Sequence, residues 1–262
     1  MLVDQTCSRF RDDSDLRRVN ARAGTWTEVH PLLVAAVRAA LAVAHDTDGL
    51  INPLLGRSMV SLGYDKDFRA LAPSHQAPVA ARPDAWREIA VGDGALCIPE
   101  GTALDLGSIG KAFASDLVAQ ALESQHGIDA LISVGGDIAL AGAGEWPVDI
   151  SEHPGGPAEQ TVWIKNSGLA TSSTQVRRWQ SNGAQRHHIL DPRTGQPAPE
   201  VWRTVSAIGR TCVAANAAST AAIVLGEQAP AWLKSREVSA RLVAINGQVR
   251  RTCLWPEETT HE

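Results

Sequence analysis

The chain has 262 residues, of which 44% are hydrophobic and 20% charged, so it can bury a core of ordinary size as one large domain or two small ones. Its formal net charge of -5 and its lack of any Lys/Arg run argue against nucleic acid as the main partner, because phosphate binding needs a basic surface. Neither a signal-peptide pattern nor an apolar stretch long enough to span a bilayer is present, so we expect no transmembrane segment and a cytoplasmic location, unless a leader was removed.

Helices and strands are predicted in an interleaved order. Apolar residues recur at intervals of three and four near residues 33–44, 108–122 and 213–225, which predicts three amphipathic helices. Short β-like runs separated by turn residues occur at 130–134, 146–150, 161–164 and 204–208, and Asn246-Gly247 predicts a hairpin near the end of the chain. Because several strands follow one another without a helical crossover, the pattern favours an α+β fold over a doubly wound one.

The segment Asp105–Ala112 (DLGSIGKA) combines two glycines with a lysine at the start of a predicted helix. Glycine backbone N–H groups, a helix N-terminus and the Lys111 ammonium together favour binding of a phosphate. The segment is not a P-loop, which would need Gly in place of Asp105 and Ser or Thr in place of Ala112. The alternative is a tight turn followed by a solvated lysine.

The segment His187–Gly195 (HHILDPRTG) places two histidines before a turn that Pro192 and Gly195 favour. A histidine with Asp191 close behind it is a candidate general base. In a strand the two rings would point to opposite faces, so at most one of them can face a given site. A purely structural histidine is the alternative.

Asn216 and Thr220 are four residues apart in a predicted helix and therefore share one face. Two side-chain oxygens on one face can contact a hard cation such as Mg²⁺. Alternatively, this alanine-rich helix packs closely on a neighbour and its polar groups bond locally.

These motifs stand in a fixed order along the chain, together with several further short blocks. The blocks are Cys7–Ser14 with Asn20, Thr47–Gly49, Leu62–Tyr64, Asp105–Ala112 with Asp116, Gly135–Asp137, Ala170–Ser172, His187–Gly195 and the helix through Leu225-Gly226. In this order they resemble the ApbE family, the FAD:protein FMN transferases, over nearly the whole chain. The resemblance implies an ApbE-like, T-fold-like single α+β domain over residues 1–262, with mixed or antiparallel sheets and packed helices.

The resemblance also implies a reaction and its participants. FAD would bind with Mg²⁺ at its pyrophosphate, a Ser or Thr hydroxyl of a target flavoprotein would attack the FMN phosphorus, and AMP would leave. The target would be a subunit of a respiratory or reductase complex. His188 would help to deprotonate the acceptor hydroxyl. The residues expected to contact the flavin nucleotide are Phe10, Arg11, Asp12, Leu50, Asp105, Lys111 and Leu190, and those expected at the metal are Ser108, Asn216 and Thr220.

The chain departs from the family pattern at three places. Asn216 stands where the family usually has Asp, which removes one negative charge from the expected metal site. Asn52 replaces the usual acidic residue after the Thr47–Gly49 turn, and the family's first strand, with its Met-Gly-Thr segment, is absent from this sequence.

Three alternatives to FMN transfer follow from these departures and from the weakness of each motif alone. The first is a catalytically weakened FAD-binding protein of the same fold, and the second is an FAD pyrophosphatase that releases FMN and AMP. The third is an interaction domain without a nucleotide site, against which the ordered polar motifs argue.

Overall fold

A computed structural model describes residues 2–71, 79–153 and 155–257 of the chain. Within these ranges the α-helices are α1 (Leu2–Cys7), α2 (Asp15–Ala21), α3 (Pro31–Asp46), α4 (Gly56–Ser61), α5 (Gly110–His126), α6 (Cys212–Leu225) and α7 (Ala229–Ser235). None of the helices in the described part is long and apolar enough to cross a membrane.

The strands of the same ranges are mostly short and pair antiparallel throughout. They are β1 (Thr27–Glu28), β2 (Ala90–Val91), β3 (Ala95–Cys97), β4 (Ala130–Val134), β5 (Asp137–Ala141), β6 (Glu145–Ile150), β7 (Gln160–Lys165), β8 (Gly168–Ser173), β9 (Arg178–Ser181), β10 (Ala184–His187), β11 (Leu190–Asp191), β12 (Gln196–Pro197), β13 (Trp202–Gly209), β14 (Ser239–Ala244) and β15 (Val249–Thr252).

The chain divides into two compact units, and the first consists of Met1–Gly110 and Arg177–Ala198. Its longest helix is α3, in which Pro31 stands in the first turn and the His30 ring accepts a hydrogen bond from the N–H of Leu32. The apolar face predicted for this helix is buried, as at Leu33 and Val37. Three small sheets, β1-β3-β2, β10-β9 and β11-β12, complete the unit.

The second unit consists of Lys111–Val176 and Pro199–Glu262. Its six-stranded sheet has the order β15-β14-β13-β8-β5-β4, and α6 packs on the central strands β8 and β13. The hairpin β6-β7 contributes to a core that contains Val148, Ile150, Val162, Ile164, Leu169 and Trp255. Antiparallel sheets with packed helices confirm the predicted α+β class, whereas a single domain over residues 1–262 stays a prediction.

Strong apolar patterns located most elements of the second unit to within two residues. The runs at 130–134, 146–150, 161–164 and 204–208 correspond to β4, β6, β7 and β13. The helix expected near Ser108 begins at Gly110, because Leu106–Ile109 forms a turn in which the carbonyl of Leu106 accepts the N–H of Ile109. The strands β5 and β8 were not predicted. β8 is buried although it is mostly small and hydroxyl-bearing, so it carries little apolar signal.

Candidate functional site

In the first unit, the carboxylate of Asp105 holds the glycine turn that precedes α5. Its Oδ1 accepts a hydrogen bond from the N–H of Gly107 at 2.6 Å, and its Oδ2 lies 2.7 Å from Nε of Arg9. Both partners of this ion pair are buried, with side chains 9% and 6% exposed. Loss of one partner would leave the other charge buried and unpaired. Asp105 therefore shapes the turn, and its contact with the flavin nucleotide stays a prediction.

Arg9 connects this turn to an aromatic cluster. Its guanidinium carbon lies 4.2 Å from the ring centre of Phe10 and 4.5 Å from that of Tyr64, which are cation–π distances. Its Nη1 donates to the carbonyl of Tyr64 at 2.6 Å, and the Tyr64 and Trp179 rings lie 5.2 Å apart. Burial raises the pKa of Tyr64, although the positive charges of Arg177 and Arg9 oppose that shift. The cluster therefore keeps a neutral phenol beside a fixed positive charge.

The other flavin-contact residues predicted in the first unit differ in accessibility. Phe10 is 42% exposed. Arg11 donates to both carboxylate oxygens of Asp13, at 3.0 and 2.9 Å, and these hydrogen bonds raise the pKa of Arg11. Asp12 is exposed and pairs with Arg17 at 3.1 Å. Leu50 is half-buried, and Leu190 is buried in the cluster of Tyr64 and Trp179. Ser108, predicted at the metal, is half-buried.

The two adjacent histidines have different surroundings. His187, the last residue of β10, is 1% exposed, and its Nε2 lies 2.9 Å from the carbonyl oxygen of Ala198. His188 follows the strand and is half-buried. Asp191 binds the guanidinium of Arg193 through both carboxylate oxygens, each at 2.8 Å. His187 is thus a core residue, and of the two histidines His188 is the one with solvent access.

In the second unit, Lys111, Asp137 and Asn216 meet between the start of α5, the start of β5 and the first turns of α6. The Lys111 ammonium forms an ion pair with Oδ2 of Asp137, and the Asn216 amide nitrogen lies 3.4 Å from Oδ1 of the same carboxylate. Asn216 is 7% exposed, and its amide oxygen has no hydrogen-bond partner. A buried amide oxygen without a partner is unfavourable unless a ligand supplies one. The structure thus brings the predicted residues Lys111 and Asn216 to one carboxylate.

A set of hydroxyl groups continues this cluster along α6. Thr220 lies one turn after Asn216 on the same helix, as the sequence spacing predicts. The hydroxyl of Ser172 on β8 is 2.8 Å from that of Thr220 and 2.9 Å from that of Ser219. Thr220 is half-buried. Asn216, beside the Asp137 carboxylate, and Thr220 therefore offer neutral oxygens on one face of α6.

The N-terminus of α6 is fixed by Asp116, a residue of α5. Its carboxylate accepts hydrogen bonds from the N–H groups of Cys212 and Val213 at 2.8 and 2.9 Å, while Thr211 caps the N–H of Ala214 at 3.1 Å. Burial raises the pKa of Asp116, and the two backbone hydrogen bonds oppose that shift. Burial likewise raises the pKa of the Cys212 thiol, which leaves it unreactive. Asp116 thus anchors the helix that carries Asn216 and Thr220.

Reasoning from the sequence did not assign roles to Arg9, Asp116, Asp137 or Ser172. Each lay inside a recognised block or beside one, but their importance depends on partners far away in the chain. For Asp137 a signal was available, since a carboxylate that follows two glycines and begins a strand stands at a corner where the backbone can approach a ligand. Among the described residues, no group of three or more His, Cys, Asp or Glu side chains forms a metal site.

Comparison with known families gives a match to the family described as "ApbE family" over residues 2–242. A protein of Treponema pallidum (strain Nichols), named FAD:protein FMN transferase, is 32% identical over an alignment of 252 residues that covers 85% of this chain and 68% of that protein. A protein of Klebsiella pneumoniae (strain 342) with the same name is 27% identical over an alignment of 279 residues that covers 98% of this chain and 78% of that protein.

Solved structures give the same result for the fold. The ApbE protein of Thermotoga maritima superposes with a TM-score of 0.81 at 25% identity, covering 96% of this chain and 85% of that one. The apo flavinyl transferase ApbE of Pseudomonas stutzeri gives a TM-score of 0.76 at 23% identity, covering 96% and 82%. The second likeness concerns the fold alone.

Proposed function

Because this chain belongs to the ApbE family, we propose that it is a Mg²⁺-dependent FAD:protein FMN transferase. It moves FMN from FAD to a Ser or Thr hydroxyl of a target flavoprotein, a respiratory or reductase subunit, and releases AMP. The names of the Treponema and Klebsiella relatives support the transfer. The structural observation that carries the proposal is the buried Asn216 amide oxygen without a partner, one helical turn from the Thr220 hydroxyl.

The oxygens of this cluster fit a magnesium ion. Mg²⁺ prefers oxygen ligands, commonly one or two carboxylates completed by water and phosphate. Asn216 would bind it through the amide oxygen and Thr220 through the hydroxyl, with Ser108 as a further contact that stays a prediction. When bound, the ion would neutralise the FAD pyrophosphate and stabilise the charge that develops during transfer.

Lys111 and its surroundings are suited to the phosphates of FAD. It stands in the first turn of α5, a helix of 17 residues whose N-terminal N–H groups attract anions. Its side chain is 35% exposed, so the ammonium is accessible while Asp137 holds it in place. Lys111 would bind a phosphate oxygen and orient the diphosphate for in-line attack.

His188 would act as the general base of the transfer. It would accept the proton of the acceptor hydroxyl as the oxygen forms its bond to the FMN phosphorus. The bond between that phosphorus and the bridging oxygen breaks, and AMP leaves with the bridging oxygen. Partial exposure of His188 is compatible with access by an acceptor peptide.

Asn216 favours a second candidate, an FAD-binding protein or FAD pyrophosphatase of the same fold. A neutral amide binds Mg²⁺ less strongly than a carboxylate does, which would weaken activation of FAD. In the pyrophosphatase, water would take the place of the acceptor hydroxyl and the products would be FMN and AMP.

One experiment separates these functions. The protein is incubated with FAD, MgCl₂ and a peptide that carries an Asp-Ser/Thr-Gly/Ser-Ala/Thr-Ser/Thr acceptor, and peptide mass and AMP are measured. Peptide-bound FMN together with an equal amount of AMP is the expected result. AMP without FMN-peptide would identify the pyrophosphatase, and bound FAD without either product would identify a binding protein. A peptide with Ala at the acceptor position is the control.

A further inference from the structure

Asp137 is a buried carboxylate whose two oxygens have unequal partners. It begins β5 and is 2% exposed, so its charge needs strong compensation. Oδ2 forms the ion pair with Lys111. Oδ1 has the Asn216 amide nitrogen at 3.4 Å, which is at the long limit of a hydrogen bond. One oxygen of a buried anion is therefore only weakly satisfied.

The unsatisfied groups lie next to each other. The Asn216 side chain whose nitrogen faces Asp137 is the one whose buried oxygen has no hydrogen-bond partner. The amide turns its nitrogen to the carboxylate and leaves its oxygen without a partner. A cation bound at this face of α6 would give the amide oxygen a partner and the carboxylate a counter-charge. The Thr220 hydroxyl on the same helix adds a third oxygen.

The backbone around Asp137 is shaped to bring Lys111 to it. Gly135 and Gly136 have φ of 60° and 91°, values that glycine adopts without strain. A Cβ at Gly135 would lie 3.3 Å from Cδ of Lys111, so a larger residue there would press on the lysine stem. The turn thus leaves room for the Lys111 stem to reach Asp137.

From these contacts we infer that Asp137 is the carboxylate ligand of the divalent cation, in compensation for the neutral side chain at position 216. Lys111 balances the Asp137 charge in the cation-free protein, and the cation takes over that role when it binds. The ammonium is then available to a phosphate. This inference rests on the proposed function for the choice of cation, and it adds an anionic ligand that neither Asn216 nor Thr220 provides.

The test measures Mn²⁺ binding by electron paramagnetic resonance, with Mn²⁺ as the probe for Mg²⁺, in the absence and presence of ADP as a diphosphate. Asp137→Asn should weaken binding by at least about 10-fold, because loss of a residue that only supports a ligand already costs about 10- to 100-fold. Asn216→Asp should tighten binding in the native background and restore much of the loss in Asp137→Asn. Asp149→Asn, which removes an exposed carboxylate of β6 in the same unit, should leave Mn²⁺ affinity unchanged.

A second variant guards against loss of structure. Asp137→Asn alone leaves Lys111 without its partner, whereas Lys111→Met/Asp137→Asn removes both charges together. The double variant should unfold at nearly the native temperature and still show the loss of Mn²⁺ affinity. Native affinity in this folded double variant, or no Mn²⁺ binding by the native protein even with ADP, would overturn the inference.

The readout also separates this inference from the proposed function. Mn²⁺ binding that depends on Asp137, in a protein that transfers no FMN, would contradict the transferase and leave the ligand assignment intact. FMN transfer by a protein whose Mn²⁺ binding does not depend on Asp137 would support the transferase and contradict the ligand assignment.

Discussion

At the residue scale, neighbouring side chains of the same type have separate roles. His187 is enclosed at the end of β10 and contacts the carbonyl of Ala198, whereas His188 is half-buried. β10 ends at His187, so His188 lies in the bend that follows the strand. A substitution at 187 should therefore affect stability, and one at 188 should affect chemistry.

We expect His188→Ala to reduce FMN transfer by about 100- to 10,000-fold, because removal of a general base costs that much. The affinity for FAD should stay within about twofold, since the proton acceptor acts on the second substrate. Single-turnover transfer and FAD titration by fluorescence measure the two effects. His187→Ala is the matched control, with a lowered unfolding temperature. Transfer at the native rate by His188→Ala would contradict the assignment.

Spacing and residue type alone single out Lys111, Asn216 and Thr220 as candidates, and their contacts with phosphate and metal stay predictions. Arg9 could not be singled out in this way, because its meaning depends on Asp105, 96 positions away. Asp137 had a local signal in its two preceding glycines, but its contact with Asn216, 79 positions away, had none. A charged residue in a local pattern predicts a solvated surface group until its distant partner is known.

At the element scale, a pair of glycines lets α6 approach the sheet of the second unit. Gly168 of β8 and Gly209 of β13 are directly opposite in the antiparallel register. A Cβ at Gly168 would lie 2.3 Å from the backbone nitrogen of Cys212, and one at Gly209 would lie 2.5 Å from that of Ala215. Both obstacles are backbone atoms, which cannot rotate away.

We expect Gly168→Ala to lower the free energy of unfolding by about 3 kcal/mol or more, because the helix must shift as a whole. Urea denaturation monitored by Trp fluorescence measures the change. Gly110→Ala serves as the control, since its nearest neighbour would be Cβ of Leu106 at 3.9 Å. It should change stability by less than about 1 kcal/mol. Equal stability of both variants would contradict the close approach.

The contribution of Asp116, which anchors the N-terminus of α6, to the free energy of unfolding should depend on pH. Burial raises the pKa of Asp116, so the folded chain binds this proton more tightly than the unfolded chain. The contribution of Asp116 to the free energy of unfolding is therefore larger below the raised pKa and is lost as the pH rises through it. Asp116→Asn cannot titrate. As the pH falls from about 7 to about 4, the ordinary pKa of an aspartate, stability should therefore shift in favour of the native protein relative to the variant.

Urea denaturation of both proteins at the two pH values checks this expectation. Asp149→Asn, whose exposed side chain belongs to β6, is the control for the loss of one carboxylate. A difference between native protein and Asp116→Asn that is constant with pH would show that the carboxyl does not titrate in this way.

Elements were predictable in proportion to their apolar pattern. The helix α3 and the strands β4, β6, β7 and β13 carry clear periodicity and occur where expected. β8 lacks it, since its central position demands small residues against α6 and hydroxyl groups toward Thr220. The strand β8 was therefore not predicted, because its packing against α6 requires small and hydroxyl-bearing residues in place of an apolar pattern.

At the scale of the whole molecule, ligand binding should stabilise the chain. A ligand that binds the folded state alone adds about 2.7 kcal/mol at a free concentration of 100 times its Kd, which corresponds to a rise of about 5–10 °C in unfolding temperature. We expect FAD with Mg²⁺ to produce such a rise, and FAD with EDTA to produce a smaller one. Thermal unfolding followed by intrinsic Trp fluorescence measures it. Absence of any rise with FAD and Mg²⁺ would contradict nucleotide binding.

The family and the α+β class followed from the order of short blocks, although no block was specific by itself. Order carries information because a fold fixes which segments approach one another, whatever the sequence between them. The order of the strands within the sheet does not follow from the order of these blocks along the chain. The adjacency of β13 and β8 brings together strands separated by the β9–β12 segment, and no local pattern reports such a pairing.

The glycine pair under α6 has a consequence for coordination chemistry. The close approach of α6 to Gly168 and Gly209 fixes the start of the helix against the strand backbone, and position 216 follows directly after that contact. Replacing Asn216 by Asp, Gln or His would then change the type of donor atom and the length of the side chain, while the backbone of α6 stays the same. Coupling of the bound Mn²⁺ electron spin to ligand nuclei would then distinguish a nitrogen donor at this position from an oxygen donor.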